Sequence, residues 1–225
     1  MNDLMIIVPT RGRPRAVAEI AHAVQATTTG DTAVTIVIDD DDPDFDAYVA
    51  AAADAGFHLR HGPHTNMIEA LNCGAGWAAD QADNLMFMGD DHRPRTLGFD
   101  TAYLAALADL RWGWVYGNDL IQGPNLPTQF AVTSDVVRVL GHMSPPEFKH
   151  LYMDNWVLAL GTHTGRIRYL PDVIVEHLHP VSGKVEWDDG YRRVNAPDMY
   201  SHDQHMFDRH DFTADVDQLR KLMPA

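Results

Sequence analysis

The chain has 225 residues, 45% hydrophobic and 22% charged, which excludes disorder, collagen-like repeats and small disulfide scaffolds. Its 17 Lys and Arg face 32 Asp and Glu, and the net charge of −15 disfavours diffuse binding to nucleic acid or anionic membranes. Cys73 has no second cysteine to pair with, no apolar run reaches the ~18–20 residues that cross a bilayer, and the first residues lack a secretory signal. A cytoplasmic protein of one domain is expected.

Leu4-Met5-Ile6-Ile7-Val8 is an apolar run closed by Pro9 and reads as a buried strand. Pro14 suits the start of a helix, and residues 16–26 carry apolar side chains at helical spacing. Ala33-Val34-Thr35-Ile36-Val37-Ile38 reads as a second strand, stopped by Asp39-Asp40-Asp41-Asp42-Pro43. Helices over 46–55 and 67–79 flank a short strand at 57–60. Leu85-Met86-Phe87-Met88 is a third apolar strand, stopped by Gly89-Asp90-Asp91-His92. Further strands are expected at 115–117, 130–132, 167–170 and 173–175, before a tail rich in His and Asp.

Strands alternating with helices imply an α/β fold, a three-layer sandwich with a mainly parallel central sheet. Residues 1–118 would form one half and 119–225 the other, folded onto the same sheet. In such sheets ligands bind beyond the carboxyl ends of the strands. Three strand exits carry Thr10-Arg11-Gly12-Arg13, residues 39–42 and Asp90-Asp91-His92. A basic loop and two acidic clusters on one edge suit a phosphate, a metal and a polar organic group.

Asp90-Asp91 carries the sharpest signal. Two adjacent carboxylates on a buried strand repel, and burying either unpaired would cost several kcal/mol. A divalent cation, Mn²⁺ or Mg²⁺, removes that cost and holds substrate phosphates; a solvated turn is the other reading. Among residues 39–42, Asp39 and Asp40 lie nearest the sheet and are the expected ligand contacts, with Asp41, Asp42 and Asp44 left to a solvated loop and helix start. The Arg-rich loop precedes a helix N-terminus, which favours anions. G-x-x-x-x-G-K-[ST] and G-x-G-x-x-G are both absent.

Together these segments resemble the family-2 glycosyltransferases of the GT-A fold, well over roughly the first 100 residues and weakly beyond. Ile6-Ile7-Val8-Pro9-Thr10-Arg11-Gly12-Arg13-Pro14 looks like their first-strand nucleotide loop. Val37-Ile38-Asp39-Asp40 resembles the acidic motif whose second Asp holds the uracil of a UDP-sugar, and Glu69-Ala70-Leu71-Asn72-Cys73-Gly74 the helix before the metal motif. Leu85-Met86-Phe87-Met88-Gly89-Asp90-Asp91 looks like the D-x-D strand, with Gly89 in place of the first acid. The resemblance implies Pro9, Thr10, Arg11, Arg13, Asp39, Asp40, Asn72 and Asp90 on the nucleotide-sugar and Asp91 on the metal.

Leu151-Tyr152-Met153-Asp154-Asn155-Trp156 resembles the motif that supplies the base, so Asp154 would deprotonate the acceptor; its other reading is a helix N-cap. In a retaining enzyme Asp154 would instead position the acceptor. Val175-Glu176-His177-Leu178-His179-Pro180 would return a histidine to the metal. His177 is the first choice over His179, because it is nearest the strand end. His202 and His205 would share a helical face, which suggests a second metal site; a flexible lid or solvated surface is the preferred reading of that tail. Lys184, Arg192 and Arg193 could reach diphosphate or acceptor. Trp112, Trp114 and Trp156 are expected in the core or a pocket wall, and Cys73 buried and inert.

The resulting expectation is a metal-dependent hexosyl- or pentosyltransferase using a UDP-sugar. A hydroxymethylated DNA base is one possible acceptor if Arg93, Arg95, Arg166, Arg168, Arg192 and Arg193 converge. A nucleotidyltransferase and a non-catalytic protein stabilised by a cation are the alternatives.

Overall fold

Alternate residues of a strand point to opposite faces of its sheet, yet Leu4, Met5, Ile6, Ile7 and Val8 are all fully buried. In the computed structural model, which describes residues 1–222, β1 (Asn2–Pro9) therefore feeds two cores. Leu4, Ile6 and Val8 face α1 (Pro14–Thr27), while Met5 and Ile7 face the opposite layer. The elements that follow are β2 (Thr32–Asp39), α2 (Phe45–Ala55), β3 (His58–Gly62), α3 (Met67–Ala78), β4 (Ala82–Phe87), β5 (His92–Pro94) and α4 (Phe99–Leu110). Next come β6 (Trp114–Asn118), β7 (Phe130–Thr133), α5 (Ser134–Leu140), α6 (Met153–Thr164), β8 (Ile167–His177), α7 (Asp189–Val194), α8 (Pro197–Arg209) and α9 (Phe212–Leu219).

The strand order is β3-β2-β1-β4-β7-β6-β8-β5. β3, β2, β1 and β4 run parallel, β7 is antiparallel to both β4 and β6, β8 is parallel to β6, and β5 is antiparallel to β8. α1, α2 and α4 cover one face and α3, α5, α6 and α9 the other. This is the expected α/β sandwich with a mainly parallel sheet. Strands from both halves interleave, since β7 lies between β4 and β6. α3 packs unusually close, because a Cβ on Gly74 would stand 2.7 Å from Val37 Cγ2 and 2.9 Å from Ile7 Cγ2.

Three expectations need correction. Residues 167–177 form one strand through an irregularity in its pairing with β6, which lets Pro171 interrupt the ladder without ending the strand. Cys73 is exposed, because α3 turns Leu71, Gly74, Ala75 and Ala78 to the sheet and Cys73 outward. The tail is docked rather than loose. Asp203 in α8 is fully buried and accepts the N–H groups of Lys149, His150 and Leu151 at 3.0, 2.9 and 2.7 Å. His202 pairs with that same Asp203 at 2.8 Å. Among the described residues, the one group of three side chains able to hold a metal lies elsewhere.

α9 is clasped by His210, whose Nδ1 lies 2.9 Å from Glu147 and Nε2 2.7 Å from Asp215. Trp156 Nε1 donates to the same Asp215 carboxylate at 2.9 Å. The Asp215 hydrogen bond raises the His210 pKa against the effect of burial, with Glu147 adding to it. A raised folded-state value stabilises fully below the ordinary histidine range and is lost as pH rises through it. The melting-temperature gap between the wild type and His210→Gln is thus expected to be widest near pH ~5 and to narrow toward pH ~9; a gap that widens with pH would contradict the clasp.

Candidate active site

The exits of β1, β2, β4 and β8 meet at one edge of the sheet. Thr10 closes β1, and its hydroxyl donates to Asp90 Oδ2 at 2.7 Å. Because that proton is committed, the Tyr48 hydroxyl donates to Thr10 Oγ1 at 3.0 Å and accepts the Arg13 N–H at 2.7 Å. Arg13 reaches across to Asp90 Oδ1 at 3.0 Å. The Arg-rich loop is thereby fixed to the acid pair. Its fold depends on Asp42, which is buried and accepts the Gly12 N–H at 2.8 Å and the Asp44 N–H at 2.8 Å. That corrects the expectation of a solvated Asp42, since a left-handed Gly12 (φ 69°) aims its N–H into the acidic run.

The basic and acidic loops also neutralise one another. Arg11 bridges Asp39 at 2.7 Å and the exposed Asp41 at 2.5 Å. Asp39 Oδ1 lies 3.4 Å from His64 Nδ1, a buried atom without a hydrogen-bond partner. Asp40 is half-exposed and paired with His61 at 2.7 Å. Pro9 ends β1 beside them. Asn72 stands apart, with its amide oxygen accepting from Met143 and Ser144 N–H and its amide nitrogen donating to Ser144 O. Both ends of that side chain are taken by the 142–144 loop.

Asp91 sits at the centre. Its Oδ2 lies 3.2 Å from His177 Nε2 and accepts the Tyr191 hydroxyl at 3.0 Å, and its Oδ1 lies 3.2 Å from His92 Nδ1. β5 makes this arrangement, because His92 is the cross-strand partner of His177 and the two rings stack at 4.1 Å. His177 N–H donates to Asp119 O and Leu178 N–H to Asp91 O, locking the end of β8 between two loops. His179 is used otherwise, accepting from Val181 N–H at 3.3 Å and packing edge-on against Trp187 and Tyr191. His92 and Tyr191 were not singled out from sequence. A three-residue strand gives no periodicity, although the Asp-Asp-His run was visible.

Charge follows from these contacts. Burial pushes the Asp91 carboxyl up, but the hydrogen bond and charge of His177 hold it well below the usual range. Burial and the Asp91 charge raise Asp90 against Arg13 and Thr10. Burial, helped by His177, drops His92 to about 4 and leaves its ring neutral.

One carboxylate and two imidazoles with donor atoms within 4.8 Å of one another can hold a divalent ion. His92 Nδ1 is buried without a hydrogen-bond partner, which is what a ligand atom without its ion looks like. Two nitrogens and one oxygen suit Mn²⁺ better than Mg²⁺, which prefers oxygen throughout. Gly89 belongs to the same fit. A Cβ there would meet Asp91 Oδ1 at 2.8 Å and His92 Nδ1 at 2.9 Å, so a side chain in place of Gly89 collides with the two donors. Gly89→Ala is expected to weaken Mn²⁺ binding about tenfold with little change in melting temperature, an overpacking cost of roughly 1–3 kcal/mol felt at the donors. Equal Mn²⁺ affinity in isothermal titration would remove that constraint.

Asp154 faces the same space from the first turn of α6; the cap is Tyr152, in the left-handed region at φ 62°. Burial raises the Asp154 pKa to about 6, against the Asn155 N–H and the His177 charge, which lower it. Arg13 is also held bidentately by Asp188, at 2.7 and 2.8 Å from one guanidinium nitrogen, and stacks 4.0 Å over the Tyr191 ring. Lys184 pairs with Glu176, and Arg192 with Asp189. Trp112, Trp114 and Trp156 are buried in the core.

Neither a sequence-family model nor a curated protein matches the chain. Solved structures do. The mannosyltransferase PcManGT of Pyrobaculum calidifontis, in complex with GDP-Man and Mn²⁺, superposes with a TM-score of 0.66 at 14% identity over 99% of this chain and 72% of its own. TarS 1-349 of S. aureus gives 0.56 at 13% identity over 77% of this chain and 59% of its own. Glucosyl-3-phosphoglycerate synthase of Mycobacterium tuberculosis gives 0.57 at 10% identity, covering 81% and 74%. The chain spans about three fifths of TarS 1-349. It shares the GT-A fold of these structures. No helix among the described residues is long and apolar enough to cross a membrane.

Proposed function

We propose that this chain transfers a sugar from a nucleoside diphosphate sugar, a UDP-sugar first, to an acceptor hydroxyl with the help of Mn²⁺. The observation that carries it is the meeting of Asp90, Asp91, His92, His177 and Arg13 near a partly buried carboxylate, Asp154. Asp91, His92 and His177 would hold the cation, which would supply positive charge against the diphosphate leaving group. Arg13 exchanges Asp188 for the diphosphate and adds charge to the same oxygens as they become anionic. Asp90, oriented by Thr10, accepts from the ribose, and Asp39 and Asp40 receive the base. Asp154 takes the acceptor proton while the hydroxyl oxygen bonds to the anomeric carbon and the bond to the diphosphate breaks. A base on the acceptor side gives inversion at that carbon.

Five of the six arginines needed for a DNA acceptor have other partners. Arg93 donates to the carbonyls of Asp90 and His92 and pairs with Glu19, Arg95 pairs with Glu176, and Arg166 donates to Leu110 O. Arg168 pairs with Asp109 and Arg192 with Asp189. The proposal therefore keeps to an acceptor without a polyanionic backbone, which the charge of −15 also favours.

Thermal-shift titration against UDP, GDP and CTP, with and without Mn²⁺, tests this reading. A Mn²⁺-dependent rise with UDP or GDP, followed by sugar transfer from the labelled donor, is the expected result. No shift with any nucleotide overturns it in favour of a non-catalytic protein, and a shift confined to CTP in favour of nucleotidyl transfer.

A further inference from the structure

Behind the two histidines lies a carboxylate to which the reaction above gives no part. Asp119, at the exit of β6, is 1% exposed. Its Oδ1 accepts three backbone N–H groups, from Ile121, Gln122 and Gly123, at 3.0, 2.7 and 2.9 Å. Its Oδ2 accepts the Thr128 hydroxyl at 2.9 Å and lies 3.9 Å from His177 Nδ1. Thr128 Oγ1 is in turn 3.4 Å from His92 Nε2. Both imidazoles thus turn one nitrogen toward Asp119 or its hydroxyl partner and the other toward Asp91.

The proton order in this chain is determined. Thr128 has one hydroxyl proton, and the carboxylate takes it, so toward His92 the Thr128 oxygen can only accept. His92 must then donate from Nε2 to the Thr128 oxygen, which leaves Nδ1 as the nitrogen offered to a cation beside Asp91. That agrees with Nδ1 being buried without a hydrogen-bond partner. His177 Nδ1, at 3.9 Å, is beyond hydrogen-bond distance of Asp119, and its Nε2 is nearer Asp91 at 3.2 Å, so the ordering by Asp119 acts on His92.

We propose that Asp119 is a positioning residue that sets the tautomer of the metal-facing His92 through Thr128. This rests on the cation site proposed above, and outer partners of that kind typically change metal affinity 10–100-fold when lost. Asparagine at 119 discriminates it from a scaffold role. Its Oδ1 still accepts the three backbone N–H groups, but its amide donates to Thr128. The hydroxyl then donates to His92 Nε2 and drives the ring proton onto Nδ1, the wrong tautomer.

Mn²⁺ binding without nucleotide, read by electron paramagnetic resonance, should therefore weaken about 10–100-fold in Asp119→Asn, with a nearly unchanged melting temperature. Long-range ¹H–¹⁵N spectra of the metal-free protein should move the His92 proton from Nε2 to Nδ1. If the wild type and His177→Ala both fail to bind Mn²⁺, the cation site itself is wrong. If the wild type binds, His177→Ala does not, and Asp119→Asn equals the wild type within twofold, Asp119 is a scaffold residue and the inference falls. Should Asp119→Asn melt far lower, Thr128→Val decides, because it removes only the link to His92. A three- to tenfold weakening would support the relay, and wild-type affinity would overturn it.

Discussion

Asp91→Asn is expected to abolish Mn²⁺-dependent nucleotide binding and to lower turnover at least about 10²–10³-fold, the scale seen when one stabiliser of transition-state charge is removed. The carboxylate is the one acid among the three donor side chains, and it is kept ionised chiefly by His177. Asparagine retains the shape, can still accept from Tyr191, and leaves the backbone contact from Leu178 intact. The melting temperature without metal should therefore stay near the wild type. Paired thermal-shift and product assays check this, and unchanged turnover would take Asp91 out of the reaction.

Asp154→Asn is the second large effect. Loss of a general base typically costs about 10²–10⁴-fold in kcat, and the donor KM should change little if Asp154 serves the acceptor as proposed. The wild-type pH profile should rise through about 6, where Asp154 ionises, and this limb should vanish in the variant. The stability effect has the opposite sign. A folded-state pKa above the unfolded one means that ionised Asp154 opposes folding once pH exceeds the unfolded value, fully so above about 6. At pH ~7 the asparagine variant is thus expected to melt at or above the wild type. A melting temperature well below the wild type would show that Asp154 supports the helix start rather than the chemistry.

The sheet was legible in the sequence because its strands are short apolar runs closed by Pro or Asp. Burial on both faces makes such runs conspicuous. The acid pair stood out for the same reason, since two carboxylates one residue beyond Leu85-Met86-Phe87-Met88 read as either a ligand site or a solvated turn. Relations between distant segments were not. His92 and His177 meet only because a three-residue strand pairs across the end of β8, and nothing local announces that strand. Asp42 read as solvent-facing, and its burial depends on Gly12, thirty positions earlier. Asn72 carried a family role by position, yet its amide is matched to a loop seventy residues on. Cys73 fell on the wrong side because an alanine-rich helix shows little contrast between its faces.

The grip of Asp188 on Arg13 has a consequence for specificity. The guanidinium already holds a tethered anion, so any incoming oxyanion meets competition from within the same molecule. Its apparent affinity equals the intrinsic value diminished by the fraction of time Arg13 stands free. Chloride or orthophosphate, with one weak contact each, gains little from that exchange. On the proposed function, a pyrophosphate linkage that would reach a cation held by Asp91, His92 and His177 as well as the guanidinium would overcome it, and the internal rival would then reward bidentate guests.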